Sequence, residues 1–226
     1  MRNPRKAGLA KRRLFVEGLE RRELLAGNVL VEVTSGLLKV TGDAADNHVA
    51  IFQQADGRFT VTGLDGEAIS GPTSSIIARN ISVNLGAGDD SVVIAAEPVD
   101  VEADLLPASV LGSTTVNGGD GSDIITVSVI GRQAGTLVLP ALAISIDGGA
   151  PAAGSESLQI DEVLITNSAA GIVTVKTGVG DDLIDLTNVL ALTLNVESGP
   201  TTLPNGFTDI DLVSASHAVA QGEKIG

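Results

Sequence analysis

The sequence predicts an all-β protein. Its narrower expectation is a right-handed parallel β-solenoid, β-helix- or β-roll-like, behind a short basic N-terminal helix or disordered head. Three observations carry this. A Gly-rich acidic loop recurs between short alternating strands. The interior has to be aliphatic, because the 226 residues include only four Phe and no Trp or Tyr. No helical period appears after about residue 30, where apolar residues alternate with polar ones at the period of a strand.

The loop gives the order of the elements. Residues 81–94 read ISVNLGAGDDSVVI, residues 114–127 read TTVNGGDGSDIITV, and residues 173–186 read VTVKTGVGDDLIDL. In each, a strand ends at Val, Gly-x-Gly-x-Asp follows, and a second β-branched strand begins. Weaker copies lie at 38–51 (LKVTGDAADNHVAI, with Asp46 in the aspartate position), at 144–149 (ISIDGG, continued after an insertion by DEVLI at 161–165) and at 192–199 (LTLNVESG, with TDIDLV at 208–213). The first strand of each unit ends at Val40, Val83, Val116, Ile146, Val175 and Val196, in steps of 43, 33, 30, 29 and 21 residues. A strand of four to six residues that buries one face cannot fold alone, whereas stacked copies share a continuous aliphatic column. The expectation is five or six coils over residues 28–226. An antiparallel sandwich is the other all-β architecture, since the Asn-Gly and Asp-Gly pairs at 117–118 and 147–148 are hairpin signals.

Charge divides the chain. Residues 1–22 hold eight Lys/Arg and two acids, out of 14 basic and 28 acidic residues in all. The rest carries six basic against 26 acidic side chains. Such a body does not suit nucleic acid, and it does suit divalent cations. With no cysteine, disulfides, thiolate metal sites and a Cys nucleophile are excluded. No run of 18 apolar residues predicts a transmembrane helix. No Gly-x-Ser-x-Gly elbow and no Gly-Lys-Ser/Thr phosphate loop occurs. His48 stands near Asp43 and Asp46, which reads as a degenerate repeat loop. An enzyme is not expected.

Gly118 to Thr126, GGDGSDIIT, fits the nonapeptide G-G-x-G-x-D-x-U-x at every defined position. It resembles the calcium-binding repeat of RTX-type secreted bacterial proteins. The copies at 85–93 and 177–185 keep the Gly-x-Gly-x-Asp portion but start with Leu85 and Thr177. The resemblance implies a Ca2+ site with carboxylates from Asp90, Asp123 and Asp182. It also implies carbonyls around Gly86, Gly88, Gly119, Gly121, Gly178 and Gly180, with Asp89, Asp120 and Asp181 adding charge. In the family the nonapeptides are contiguous, whereas here they lie about 30 residues apart, so a site needs the loops stacked in register. The other reading of the same residues is a turn in which Asp caps loop amides.

Residues 11–27, KRRLFVEGLERRELLAG, place Leu14, Phe15, Leu19, Leu24 and Leu25 at helical spacing, with Gly27 as a stop. Leu19 to Leu25, LERRELL, resembles the LEPRxLL segment near the N-terminus of many bacterial surface and secreted proteins, with Arg21 in place of its Pro. The resemblance implies an export or sorting head, residues 1–27, before an extracellular or cell-surface β-repeat domain. The expected function is structural or adhesive, ordered by Ca2+, with self-association through solenoid ends or contact with cell-surface components. The alternatives are a polysaccharide lyase or hydrolase on a β-helix scaffold, or a fragment of a larger adhesin.

Overall fold

The computed structural model describes residues 27–54, 56–96, 111–129, 132–133, 136–137, 141–149, 160–198, 212–216, 219–220 and 223–225. Among them there are 17 β-strands and no helix. In chain order they are β1 (Asn28–Thr34), β2 (Leu37–Thr41), β3 (His48–Gln53), β4 (Phe59–Gly63), β5 (Ala68–Ser70), β6 (Asn80–Ala87), β7 (Ser91–Ala96), β8 (Leu111–Asp120) and β9 (Ile124–Ser128). Then follow β10 (Arg132–Gln133), β11 (Thr136–Leu137), β12 (Ala141–Gly149), β13 (Glu162–Lys176), β14 (Leu183–Glu197), β15 (Leu212–Ser216), β16 (Val219–Ala220) and β17 (Glu223–Ile225). Of the head, residues 1–27, all but Gly27 lie outside the described residues.

The strands build two parallel ladders. The first runs β2, β6, β8, β12, the second half of β13, the second half of β14, then β17. The second runs β3, β7, β9, the first half of β13, the first half of β14, then β15. Both ladders belong to one 15-stranded sheet, and each pass of the chain through both is one coil of the repeat. The register is the one the repeat predicts: Val40, Val83, Val116, Ile146, Val175 and Val196 pair successively across the first ladder. Parallel pairing removes the antiparallel sandwich. Antiparallel pairs among the described residues are confined to the hairpins β1–β2, β3–β4 and β10–β11 and to one bridge, Phe59 to Ile76.

Alternation makes the core. Every second residue of each ladder turns inward, and these side chains form a single buried cluster. Val, Ile and Leu dominate it, and each fully buried one contributes roughly 1.5–3 kcal/mol. Phe59, inside the hairpin at the N-terminal end, is its one ring among the described residues.

Coil length falls because the return from the second ladder to the first shortens. In the first coils it spans β4, β5 and longer connections. In β13 and β14 it is a bend at Asn167 (φ 47°) and Asn188 (φ 55°), a left-handed conformation that Asn tolerates. Asn188 Nδ2 donates to Asn167 Oδ1 at 3.1 Å, so the two bends stack, and one continuous strand serves both ladders.

Candidate functional site

The Gly-x-Gly-x-Asp loops all turn the same corner, from the first ladder to the second. Gly119 (φ 116°) and Gly121 (φ 140°) adopt backbone conformations that L side chains avoid. A Cβ on either would also sit within 2 Å of a carbonyl oxygen in the coil before, Gly86 O and Gly88 O respectively. The corner is therefore both sharp and tightly stacked, so the residue that ends it lands at one place in every coil.

That residue is Asn47, Asp90, Asp123, Asp161 and Asp182 in successive coils. All five side chains are buried. The carboxylates turn inward and cap backbone amides of the preceding coil. Asn47 N–H donates to Asp90 Oδ1 at 2.7 Å, Asp90 N–H to Asp123 Oδ1 at 3.0 Å, Asp123 N–H to Asp161 Oδ1 at 3.1 Å and Asp161 N–H to Asp182 Oδ1 at 3.0 Å. The carbonyls of the same five residues accept the amides of Ser91, Ile124, Glu162, Leu183 and Leu212 in the following coil, at 2.8–2.9 Å. Each of the four aspartates is thus bonded to both neighbouring coils.

One position earlier a second column runs in the opposite sense. Asp89 N–H donates to Asp46 Oδ1 at 2.9 Å, Ser122 N–H to Asp89 Oδ1 at 3.0 Å and Ile160 N–H to Ser122 Oγ at 3.1 Å. The expected sites of charge therefore separate. Asp89 belongs to this outer column, and Asp120 stands exposed earlier in the loop, with its carbonyl accepting Gly88 N–H at 2.8 Å. Asp181 is half-buried directly before Asp182, and Gly178 and Gly180 turn that loop as Gly119 and Gly121 turn theirs.

The structure corrects two alignments. In the first coil Asn47, not Asp46, occupies the inner column, and Asp46 belongs to the outer one. Asp161, which the sequence offered only as the start of a strand, is a full member; the insertion between Gly149 and Asp161 hides it. Its signal was an acid directly before a β-branched strand, the same as at Asp90 and Asp123. His48 Nδ1 pairs with Ser91 Oγ at 2.8 Å, and Asp43 accepts the amides of Ala45 and Asn28.

Burial sets the electrostatics. It raises the Asp90 carboxyl to about 6, against the bonds from Asn47. It raises Asp123 to about 7, helped by the neighbouring carboxylates Asp161 and Asp90, and Asp161 to about 7, helped by Asp182 and Asp147. Oδ2 of Asp90 and Oδ2 of Asp123 are buried and accept no hydrogen bond. A methyl group at Gly118 would meet both Asp123 Oδ2 and the Gly148 carbonyl, so both oxygens crowd the same glycine. A proton on the carboxyl would relieve that juxtaposition.

The donor set is oxygen only, which suits a hard cation. Against this, each Oδ1 from Asp90 to Asp182 is already committed to an amide. Among the described residues no three His, Cys, Asp or Glu side chains are grouped to hold a metal. The chain matches no protein-family model, and it matches neither a curated protein nor a solved structure.

Proposed function

We propose that this chain is a structural β-repeat module of the bacterial cell surface or secreted space, a right-handed parallel β-solenoid whose coils are fastened at one corner by a buried aspartate column. The observation that supports it is that column. Four successive coils commit an aspartate at the same position to the same inter-coil bonds, an investment in rigidity and not in a solvent-facing reaction centre. The LERRELL segment at residues 19–25 supports the location, and the acidic body supports solubility outside the cell. Adhesion or self-association through the ends of the stack follows from the same reading, as repeat modules present long regular surfaces.

A second reading is favoured by the lone Oδ2 atoms of Asp90 and Asp123: Ca2+ held there, with loop carbonyls, would neutralise the column and couple folding to an external cation. One experiment separates the two. Thermal melts and far-UV circular dichroism are recorded in EDTA, in Ca2+ and in Mg2+, for the parent and for Asp90→Asn/Asp123→Asn. The capping role predicts a β spectrum in EDTA that Ca2+ leaves unmoved and a variant at least as stable. A Ca2+-specific gain that the double variant abolishes would establish the cation and discard pure capping. A chain with no β signal in either condition would remove the structural reading itself.

A further inference from the structure

In each later coil the residue after the column member gives its amide to the coil before. Ser91 N–H donates to Asn47 O, Ile124 N–H to Asp90 O, Glu162 N–H to Asp123 O, Leu183 N–H to Asp161 O and Leu212 N–H to Asp182 O. His48 holds this position in the first coil, where the described residues supply no earlier corner. Its amide donates instead to Glu67 Oε2 at 3.1 Å. A carboxylate thus stands where a backbone carbonyl stands in the rest of the stack.

Local structure delivers it there. After β4 the chain makes a tight turn in which Glu67 N–H donates to Leu64 O at 2.9 Å, with left-handed backbone at Asp65 (φ 53°) and Gly66 (φ 91°). Leu64 N–H donates to His48 O at 2.8 Å, so the turn is anchored on the residue that Glu67 caps. The other carboxylate oxygen, Oε1, is buried and faces Gly27, where an added Cβ would meet both Glu67 Oε1 and Asn47 Oδ1. Gly27 and Glu67 therefore fill the corner beside Asn47. The ladders are closed on either side of it, the first by β1 and the second by β4, each antiparallel to the strand it covers. A further coil would need a parallel strand at both places and a carbonyl at the corner, and all three positions are taken.

Closure at this end limits assembly. Coil packs on coil head to tail, and copies joined by that contact continue into filaments unless they close into rings. Such growth needs both ends open. With one end closed, only like ends can meet, across a two-fold axis, and that contact stops at a pair. We propose that Glu67 is the corner cap of the stack and completes an N-terminal end closed to a second copy, so that end-to-end association of this module stops at a dimer. The inference rests on the structural module proposed above and restricts its self-association to the opposite end.

The test compares the full chain with Glu67→Ala and Glu67→Gln, the second of which keeps an oxygen for His48. The His48 amide should exchange with solvent at least about tenfold faster in Glu67→Ala, the equivalent of one lost hydrogen bond, and near the parent rate in Glu67→Gln. Loss of the β spectrum in Glu67→Ala alone would equally support the cap. Light scattering of the parent across a wide concentration range should find monomer and dimer only. His48 exchange unchanged in Glu67→Ala, or raised as much in Glu67→Gln, would overturn the cap. Particles that keep growing with concentration while β circular dichroism stays intact would overturn the closed end and leave the structural module standing. A parent without a β spectrum would remove the module, and this inference with it.

Discussion

Asn47 shows what the inner column accepts. It occupies the aspartate position of the first coil with a neutral amide, and its Nδ2 donates to Ala45 O at 2.6 Å and Leu85 O at 3.2 Å. Leu85 precedes Gly86 as Gly148 precedes Gly149, so Asp123→Asn would aim the same donor at the Gly148 carbonyl. Where capping alone operates, Asp123→Asn keeps the amide cap, removes a buried charge and raises the melting temperature at pH 8. At pH 4, where the carboxyl is already neutral, it gains little. Asp123→Ala instead strands the Asp90 amide, costing about 1–3 kcal/mol at either pH. The parent's pH dependence follows from the same groups. The folded carboxyls of Asp90, Asp123 and Asp161 titrate at about 6, 7 and 7, above the ordinary 3.8, so the fold binds protons more tightly than the open chain. Their contribution is full below about pH 4 and is lost as pH rises through 6–7. Melting temperatures measured from pH 4 to 8 should fall from this source, and the fall should flatten in Asp123→Asn. Asp90, Asp123 and Asp182 were legible from the Gly-x-Gly-x-Asp spacing. That they point inward was not: the spacing is the same whether the carboxylate faces a cation or an amide, and stacking decides.

At the scale of the element, the corner loop is rigid because of what lies one rung away. Gly119→Ala combines a left-handed φ with a Cβ 1.9 Å from Gly86 O, a backbone atom that cannot move alone. Loss of the cooperative melt is the expected result. Gly36→Ala is the control: φ is 78°, but nothing lies within 4 Å of the added carbon. It should cost only about 1–2 kcal/mol for the left-handed backbone, read as a modest drop in denaturation midpoint. The parallel ladders and their register were readable from the six strand-ending residues, because one recurring loop fixes where each strand begins. The merging of two strands into β13 and β14 was not, since Asn167 and Asn188 bend the chain without the Gly or Pro that usually marks a turn. The hairpins β1–β2 and β3–β4 were hidden for another reason. Ser35-Gly36 in the first and Gly57 in the second carry the positive φ of tight turns, but they fall outside the repeat.

At the scale of the molecule, a stack of like coils needs an end that differs from its middle. The N-terminal end differs in kind. Both ladders stop there against antiparallel partners, β1 on β2 and β4 on β3. Beyond β4 the segment at Thr73 and Ile76 takes its remaining bonds: Phe59 N–H donates to Ile76 O at 2.8 Å, Ile76 N–H to Phe59 O at 3.0 Å and Val61 N–H to Thr73 O at 2.9 Å. Covered in this way, the edge does not offer a free row of amides for pairing. Phe59 fills the space under this cap at 1% exposure, where aliphatic side chains fill the rest of the core. Phe59→Ala should cost about 3–5 kcal/mol by leaving a cavity under β4. Because each coil touches only its neighbours, that loss should be felt locally before it is felt globally. Amide hydrogen exchange followed strand by strand should show protection falling most in β3 and β4, less in β7, and least in β13 and β14, whose 13 paired positions lie several strands away from the cavity. A uniform loss across all strands would mean that the coils fold as one indivisible unit and that the hairpins are no cap. A graded loss would make the N-terminal hairpins the stop that keeps the regular stack from fraying.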